Sequence, residues 1–73
     1  MKLRTRLREA REEIGLTQED LANAVDATRQ TILFLEKEKY NPSLRLAWRI
    51  SKVIGKPIEA LFNFDDEDWK TIN

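Results

Sequence analysis

The side chains that usually carry out catalysis are scarce in this chain of 73 residues. It contains no cysteine and no histidine, which excludes disulfides, thiol nucleophiles, imidazole bases and the usual zinc ligand sets. Ser43 and Ser51 therefore lack a histidine base, and Gly15 and Gly55 cannot form a glycine-rich phosphate loop. The acidic run of residues 65–68 lacks the ligand spacing of a calcium loop, which favours a solvated surface. We expect no enzymatic activity, no metal and no cofactor.

The chemistry that remains is concentrated in TRQTILFLEK, residues 28–37, where four apolar residues follow one another. A helix packed on one side can bury only part of such a run. At about 100° per residue, Ile32 and Leu35 fall together on the face that a core would cover. The opposite face carries Gln30, Leu33, Phe34 and Lys37.

The outward side chains of this segment have the chemistry of base readers. A glutamine such as Gln30 can pair with the N6/N7 edge of adenine, and Arg29 can pair with O6/N7 of guanine or reach a phosphate instead. Phe34 can contact the methyl group of thymine, and the alternative is that its ring folds back over the edge of the domain or the tail. Leu33 lies further round the helix, so a base contact is less favoured there.

Helical periodicity predicts that five short helices position these side chains in an all-α domain. The expected helices are about residues 3–14, 18–25, 29–37, 44–54 and a last short one in PIEALF. Thr17, Thr28 and Ser43 are expected to cap the second, third and fourth helices. The second and third, joined by a tight turn at about residues 17–37, have the spacing of a helix-turn-helix. A helical hairpin inside any small bundle has the same spacing, so the geometry alone leaves both interpretations open.

Charge divides the chain into two parts. Residues 1–64 hold 12 Lys and Arg against 9 Asp and Glu, a net charge of +3. Residues 65–73 hold one Lys against four acids, a net charge of −3. We therefore expect a weakly basic domain over residues 1–64 and an acidic C-terminal tail over residues 65–73.

The length and the apolar pattern bear on location and assembly. No apolar run approaches the roughly 18 residues that span a membrane, and the basic start MKLRTRLR lacks the apolar core of a signal peptide. A cytoplasmic protein without membrane contact is expected. A domain this small has a marginal core, so oligomerisation is also expected.

The residues LREAREEIGLTQEDLANAVDATRQTI, followed by LEKEKYNPSLRLAWRISKVIG and IEALF, closely resemble the Cro/cI-type, or xenobiotic response element, helix-turn-helix transcriptional regulators. The resemblance covers residues 3–62. It implies a five-helix domain of the lambda-repressor-like fold. In small stand-alone members it also implies a homodimer that binds double-stranded DNA at an operator with approximate two-fold symmetry.

The resemblance assigns roles to individual residues. Base contacts are expected at Arg29, Gln30 and Phe34, which match base-reading positions of the family. A base contact is also expected at Leu33 from its place on the same helix face. Gln18 resembles the glutamine that clamps a phosphate in the family, with helix amides nearby. Contacts to the DNA backbone are expected at Gln18, Thr28, Thr31, Lys37, Lys39, Tyr40, Asn41 and Ser43.

Two further roles concern structure and assembly. Arg11 and Glu36 occupy positions that in the family can form an ion pair bracing the third helix. The C-terminal region often makes the dimer, which predicts an interface at Ile58, Leu61, Phe62, Phe64 and Trp69, to which Trp48 and the tail can contribute. The alternative is a monomer in which these residues pack into the core and the tail frays.

The sequence departs from the family pattern at three places. Asp26 replaces the turn glycine, Lys37-Glu38 replaces the usual Asn-Gly after the third helix, and Pro57 replaces a serine-like cap. Glu38 is the least favourable of these replacements. It places a Cβ where a glycine is expected and a negatively charged carboxylate near the expected position of the DNA phosphates.

The resulting hypothesis is a sequence-specific transcriptional regulator, and a repressor because so small a chain acts mainly by occupying its site. One alternative is an antitoxin-type DNA-binding partner of a toxin. Another is a protein-interaction module on the same scaffold, which Leu33, Phe34 and Glu38 would support. No small-molecule substrate is evident.

Overall fold

Five short helices and two three-residue strands make up the fold over residues 2–65, which are the residues that the computed structural model describes. In chain order they are β1 (Leu3–Thr5), α1 (Leu7–Glu13), α2 (Gln18–Ala24), α3 (Arg29–Glu36), α4 (Leu44–Ile54), α5 (Ile58–Leu61) and β2 (Phe62–Phe64). The expected five-helix domain containing a helix-turn-helix is thereby confirmed. Within residues 2–65 no helix is both long enough and apolar enough to cross a membrane.

Hydroxyl side chains fix where α2, α3 and α4 begin. The Thr17 hydroxyl accepts a hydrogen bond from the Asp20 backbone N–H at 3.0 Å, and the Asp20 carboxylate accepts one from the Thr17 N–H at 3.0 Å. The hydrogen bond with the Thr17 backbone is the main cause that lowers the pKa of the Asp20 carboxyl group below its usual value. Hydrogen bonding with the Thr17 side chain is the second cause. The hydroxyls of Thr28 and Ser43 each accept the backbone N–H three residues further on, at 3.1 Å. The three expected caps are confirmed, and they satisfy amides that a helix start otherwise leaves unpaired.

A single hydrophobic core receives side chains from all five helices. Each helix turns one face inward because its apolar residues recur at intervals of three or four. The largest side chains that are almost completely buried are Leu7, Leu21, Val25, Ile32, Leu35, Ile50 and Leu61. The core lies behind α3, so the opposite face of that helix looks away from the domain.

The two strands pair with each other, which corrects the sequence-based expectation of a first helix beginning near Leu3. Leu3 lies opposite Phe64 and Thr5 lies opposite Phe62 in an antiparallel register. The side chains of Leu3 and Phe62 enter the core, so the pairing closes one end of the domain. Helix α1 begins only at Leu7, because residues 3–5 alternate between core and solvent and bond to the far end of the chain.

Within residues 2–65, two residues other than glycine adopt the left-handed backbone conformation, with φ of 58° at Asp26 and 60° at Glu38. Asp26 lies in the turn between α2 and α3, where a short polar side chain tolerates this conformation. Glu38 directly follows α3 and its carboxylate turns toward β1. One carboxylate oxygen accepts the Thr5 N–H at 3.0 Å and the other lies 3.4 Å from Arg4 Nη1. Arg4 also pairs with Asp65 at 3.1 Å. The Glu38 carboxylate thus ties the end of α3 to β1, which was not expected from the sequence.

Replacing each of these two residues by glycine should change stability in opposite directions. Asp26→Gly should raise the free energy of unfolding by about 0.5 kcal/mol, because glycine relieves the left-handed backbone and no contact is lost. Glu38→Gly should lower it by about 1 kcal/mol, because the lost charge-assisted hydrogen bond outweighs the relieved backbone. Urea unfolding of both variants measures this, and a stabilised Glu38→Gly protein would contradict the assigned role of the carboxylate.

Candidate nucleic-acid interface

Helices α2 and α3 cross at close range around small and branched side chains. Ala22 and Val25 are each 1% exposed, and the Ala27 N–H donates to the Ala22 carbonyl oxygen at 2.9 Å to close the turn. Asp26 in the left-handed conformation then redirects the chain so that Thr28 can cap α3. This arrangement holds α2 across the inner side of α3, as a helix-turn-helix requires.

Helix α3 divides its side chains as the angular pattern predicted. Ile32 and Leu35 are fully buried in the core, whereas Phe34 is 40% exposed. Leu33 and Thr31 are half-buried at the flanks of the helix. The fully outward positions are exposed and belong to Arg29, Gln30 and Lys37. Part of the Phe34 ring is therefore covered by the domain and part remains accessible on the outward face.

A buried cluster of charged side chains holds the C-terminal end of α3, at Glu36. Arg11 of α1 donates from Nε to Glu36 at 2.6 Å and from Nη2 at 3.2 Å, and its Nη1 donates to the Leu16 carbonyl oxygen at 2.8 Å. Gln18 of α2 donates its side-chain N–H to the same Glu36 carboxylate at 3.1 Å. The Arg11 and Glu36 side chains are 9% and 4% exposed. The hydrogen bond to Glu36 raises the pKa of Arg11 although burial opposes the shift. Three helices therefore meet at one carboxylate.

Gln18 contacts the buried Glu36 carboxylate and also lines a cleft at the surface. One amide hydrogen is used by Glu36, and the amide still has a second hydrogen and an acceptor oxygen. It lines a cleft of about 290 Å³ together with Leu33 and Lys37. Arg8 of α1 lines the same cleft, although sequence reasoning did not single it out. Its spacing of three residues from Arg11 on α1 was the available signal.

The side chains expected at the DNA backbone fall into two kinds. The hydroxyls of Thr28 and Thr31 lie 3.0 Å apart within the α3 cap, and the Ser43 hydroxyl is engaged in the α4 cap. Exposed side chains extend from the end of α3 and the loop before α4, namely Lys37, Lys39, Tyr40 and Asn41. That loop borders a second cleft, of about 280 Å³, which Lys2 and Leu3 also line. Lys2 is a further basic residue at this edge that sequence reasoning missed.

The residues expected at a dimer interface differ in how deeply they are buried. Leu61 is fully buried and Phe62 is 7% exposed, so both pack into the core of their own chain. Ile58 is half-buried against the core, and Phe64 is 44% exposed on β2. Trp69 lies outside the described residues. The most exposed large apolar residues are on α4, where Leu44 is 80% and Trp48 54% exposed.

Loss of the Arg11 side chain should destabilise the domain strongly. Arg11→Ala should lower the free energy of unfolding by about 3–5 kcal/mol, because it leaves the Glu36 charge buried without its partner. Arg8→Ala is the matched control, since its pair with Glu12 at 3.6 Å is exposed and should contribute less than about 0.5 kcal/mol. Arg11→Lys should fall between them because it keeps the charge but loses the planar fork. Equal thermal unfolding of the two alanine variants would reject the bracing role.

Known proteins resemble this chain in both sequence and fold. A family model described as helix-turn-helix matches residues 7–61. An uncharacterized HTH-type transcriptional regulator of Archaeoglobus fulgidus is 59% identical over 66 residues, which cover 90% of this chain and 94% of the relative. One from Methanothermobacter thermautotrophicus is 52% identical over 69 residues, which cover 93% of this chain and 100% of the relative.

Solved structures share the architecture. The restriction-modification controller protein C.AhdI from Aeromonas hydrophila has a TM-score of 0.70 at 29% identity, over 75% of this chain and 83% of that chain. A structure of FeII HppE in complex with substrate also has a TM-score of 0.70, at 27% identity, but the likeness covers only 38% of that longer chain. Sequence and structure agree, and the chain belongs to the Cro/cI-type helix-turn-helix family of transcriptional regulators.

Proposed function

We propose that this transcriptional regulator is a repressor that inserts α3 into the major groove of double-stranded DNA and reads a specific sequence there. The observation that carries the proposal is the outward face of α3. Arg29 and Gln30 are exposed on it, while Ile32 and Leu35 are completely buried behind it. Gln30 would pair with adenine, Arg29 with guanine, and Phe34 with Leu33 would supply apolar contacts.

Residues around α3 would hold the DNA backbone and set the register. Gln18 and Lys37 line the cleft beside α3, and Lys39, Tyr40 and Asn41 extend from the loop that follows it. Thr28, Thr31 and Ser43 would contribute mainly through the helix starts that they cap. Phosphate contacts of this kind release condensed counterions, so binding should weaken steeply with salt.

A salt titration tests DNA binding. A duplex is first selected by the protein from a random pool. The logarithm of the binding constant for this duplex should fall linearly with the logarithm of the salt concentration. Lys39→Gln should reduce the slope by about one unit, because one phosphate contact is removed. Lys56→Gln is the matched control, because Lys56 pairs with Glu13 at 3.2 Å on another part of the surface. A protein that selects no duplex, or whose binding is independent of salt, would refute the proposed function.

The proposal includes a homodimer on an approximately palindromic operator. Support comes from exposed apolar side chains that the core does not use. Leu44 and Trp48 are one helical turn apart on α4 and line a groove of about 570 Å³ with Arg45 and Arg49. The buried Leu61 and Phe62 cannot provide such a surface without unpacking the core, so we assign the contact to Leu44 and Trp48. Among the described residues expected at a C-terminal interface, Phe64 is the most exposed.

Equilibrium sedimentation should show a dimer that Trp48→Ala weakens at least tenfold, because loss of an interface tryptophan commonly costs more than about 1.4 kcal/mol. Val53→Ala on the other side of α4 is the control, since Val53 is 36% exposed and should leave the dimer unchanged. If Phe64→Ala dissociates the dimer and Trp48→Ala does not, the contact lies at the C-terminal strand. A monomer at micromolar concentration would reject the homodimer.

The same α4 groove favours the second candidate function, an antitoxin-type regulator or protein-interaction module. Its apolar centre and its arginine rim would suit a partner protein with acidic and apolar side chains. A protein that remains monomeric when free but binds its operator would support this candidate over a self-sufficient repressor.

A further inference from the structure

Two apolar side chains on α3, Leu33 and Phe34, are only partly covered by the domain. Ile32 and Leu35 already fill the inward face with complete burial. Phe34 nevertheless exposes 40% of its surface on the outward side, and Leu33 lies half-buried beside the cleft that Gln18 lines. On a helix of this pitch the two flank Gln30, one on each side. An apolar surface is thus built into the middle of a face that is otherwise polar and basic.

The occupant that suits this face is a base edge in the major groove. Arg29, Gln30 and Lys37 surround the apolar pair and are complementary in charge to DNA. A phenyl ring has no hydrogen-bonding group, so it cannot sense the O4 acceptor of thymine or the N4 donor of cytosine. What it can sense is the apolar methyl group at C5, which projects into the major groove from thymine.

We infer that Phe34, flanked by Leu33, reads the 5-methyl group of a pyrimidine without distinguishing thymine from 5-methylcytosine, so that affinity for DNA responds to cytosine methylation. Both bases present the same methyl group at the same place, whereas uracil and cytosine lack it. The inference rests on the proposed function, because it specifies what the DNA-reading face recognises.

The experiment separates the methyl group from the base pair. Each thymine of a duplex selected from a random pool is first replaced by uracil to find the contacted position. Four duplexes are then compared that carry thymine, uracil, 5-methylcytosine or cytosine there, each with its complementary purine. Affinity should fall about fourfold from thymine to uracil and by a similar factor from 5-methylcytosine to cytosine, the factor that burial of one methyl group supplies.

Variants identify the side chain responsible. Phe34→Ala should bind the methylated and unmethylated member of each pair equally. Its thermal unfolding should still show one cooperative transition, because the core residues Ile32 and Leu35 are unchanged. Ile14→Ala is the matched control, since it removes an apolar side chain that is 49% exposed at the end of α1 and should leave both ratios intact.

The outcomes are distinguishable. Methyl effects in both pairs that vanish in Phe34→Ala support the inference. Tight binding to the selected duplex with no loss on any uracil replacement overturns it and leaves the proposed function standing. A methyl effect for thymine alone overturns the shared reading of the two bases, and a methyl effect that survives Phe34→Ala overturns the role of that ring. Failure to select any duplex refutes the proposed function itself.

Discussion

The orientation of α3 depends on the carboxylate of Glu36. It accepts hydrogen bonds from Arg11 on α1 and from Gln18 on α2, at the point where α3 approaches both helices. A buried ion pair is seldom more stabilising than apolar side chains of the same volume. Its bonds are directional, however, and an apolar contact would permit α3 to rotate or slide. The pair therefore fixes the angle at which the remaining side chains of α3 face away from the domain.

Six of the eight residues of α3 serve three different purposes. Ile32 and Leu35 join the core, Glu36 joins the charged cluster, and Arg29, Gln30 and Phe34 face outward. Arg29 and Gln30 are exposed, so they can be replaced without loss of buried surface, and replacing Phe34 removes less buried surface than replacing Ile32 or Leu35. Two relatives that share the buried residues and Glu36 can therefore present different side chains to a ligand on the same frame.

Local rules predicted much of this architecture from sequence. Thr17, Thr28 and Ser43 act within one turn of their own positions, and Ile32 and Leu35 follow the helical period, so both were readable. The strand at Leu3–Thr5 could not be predicted, because the pattern of so short a segment fits helical spacing equally well. Its partner strand also lies far along the chain, at Phe62–Phe64. The contact of Glu38 with Thr5 depends on that pairing. The burial of Leu61 and Phe62 could not be predicted for the same reason, because it depends on where the end of the chain meets β1.

The pairing of β1 with β2 also determines how the domain can assemble. The helix-turn-helix consists of contacts close in sequence and can form early. The β1–β2 pairing closes a loop that spans nearly the whole described chain and carries the largest entropic cost. This two-stranded sheet should therefore form last. Because it brings residues 3 and 64 side by side, a short linker could join these two positions and the chain could be reopened in the loop between α3 and α4. A circular permutant of this kind would keep every buried contact while changing the order in which they form.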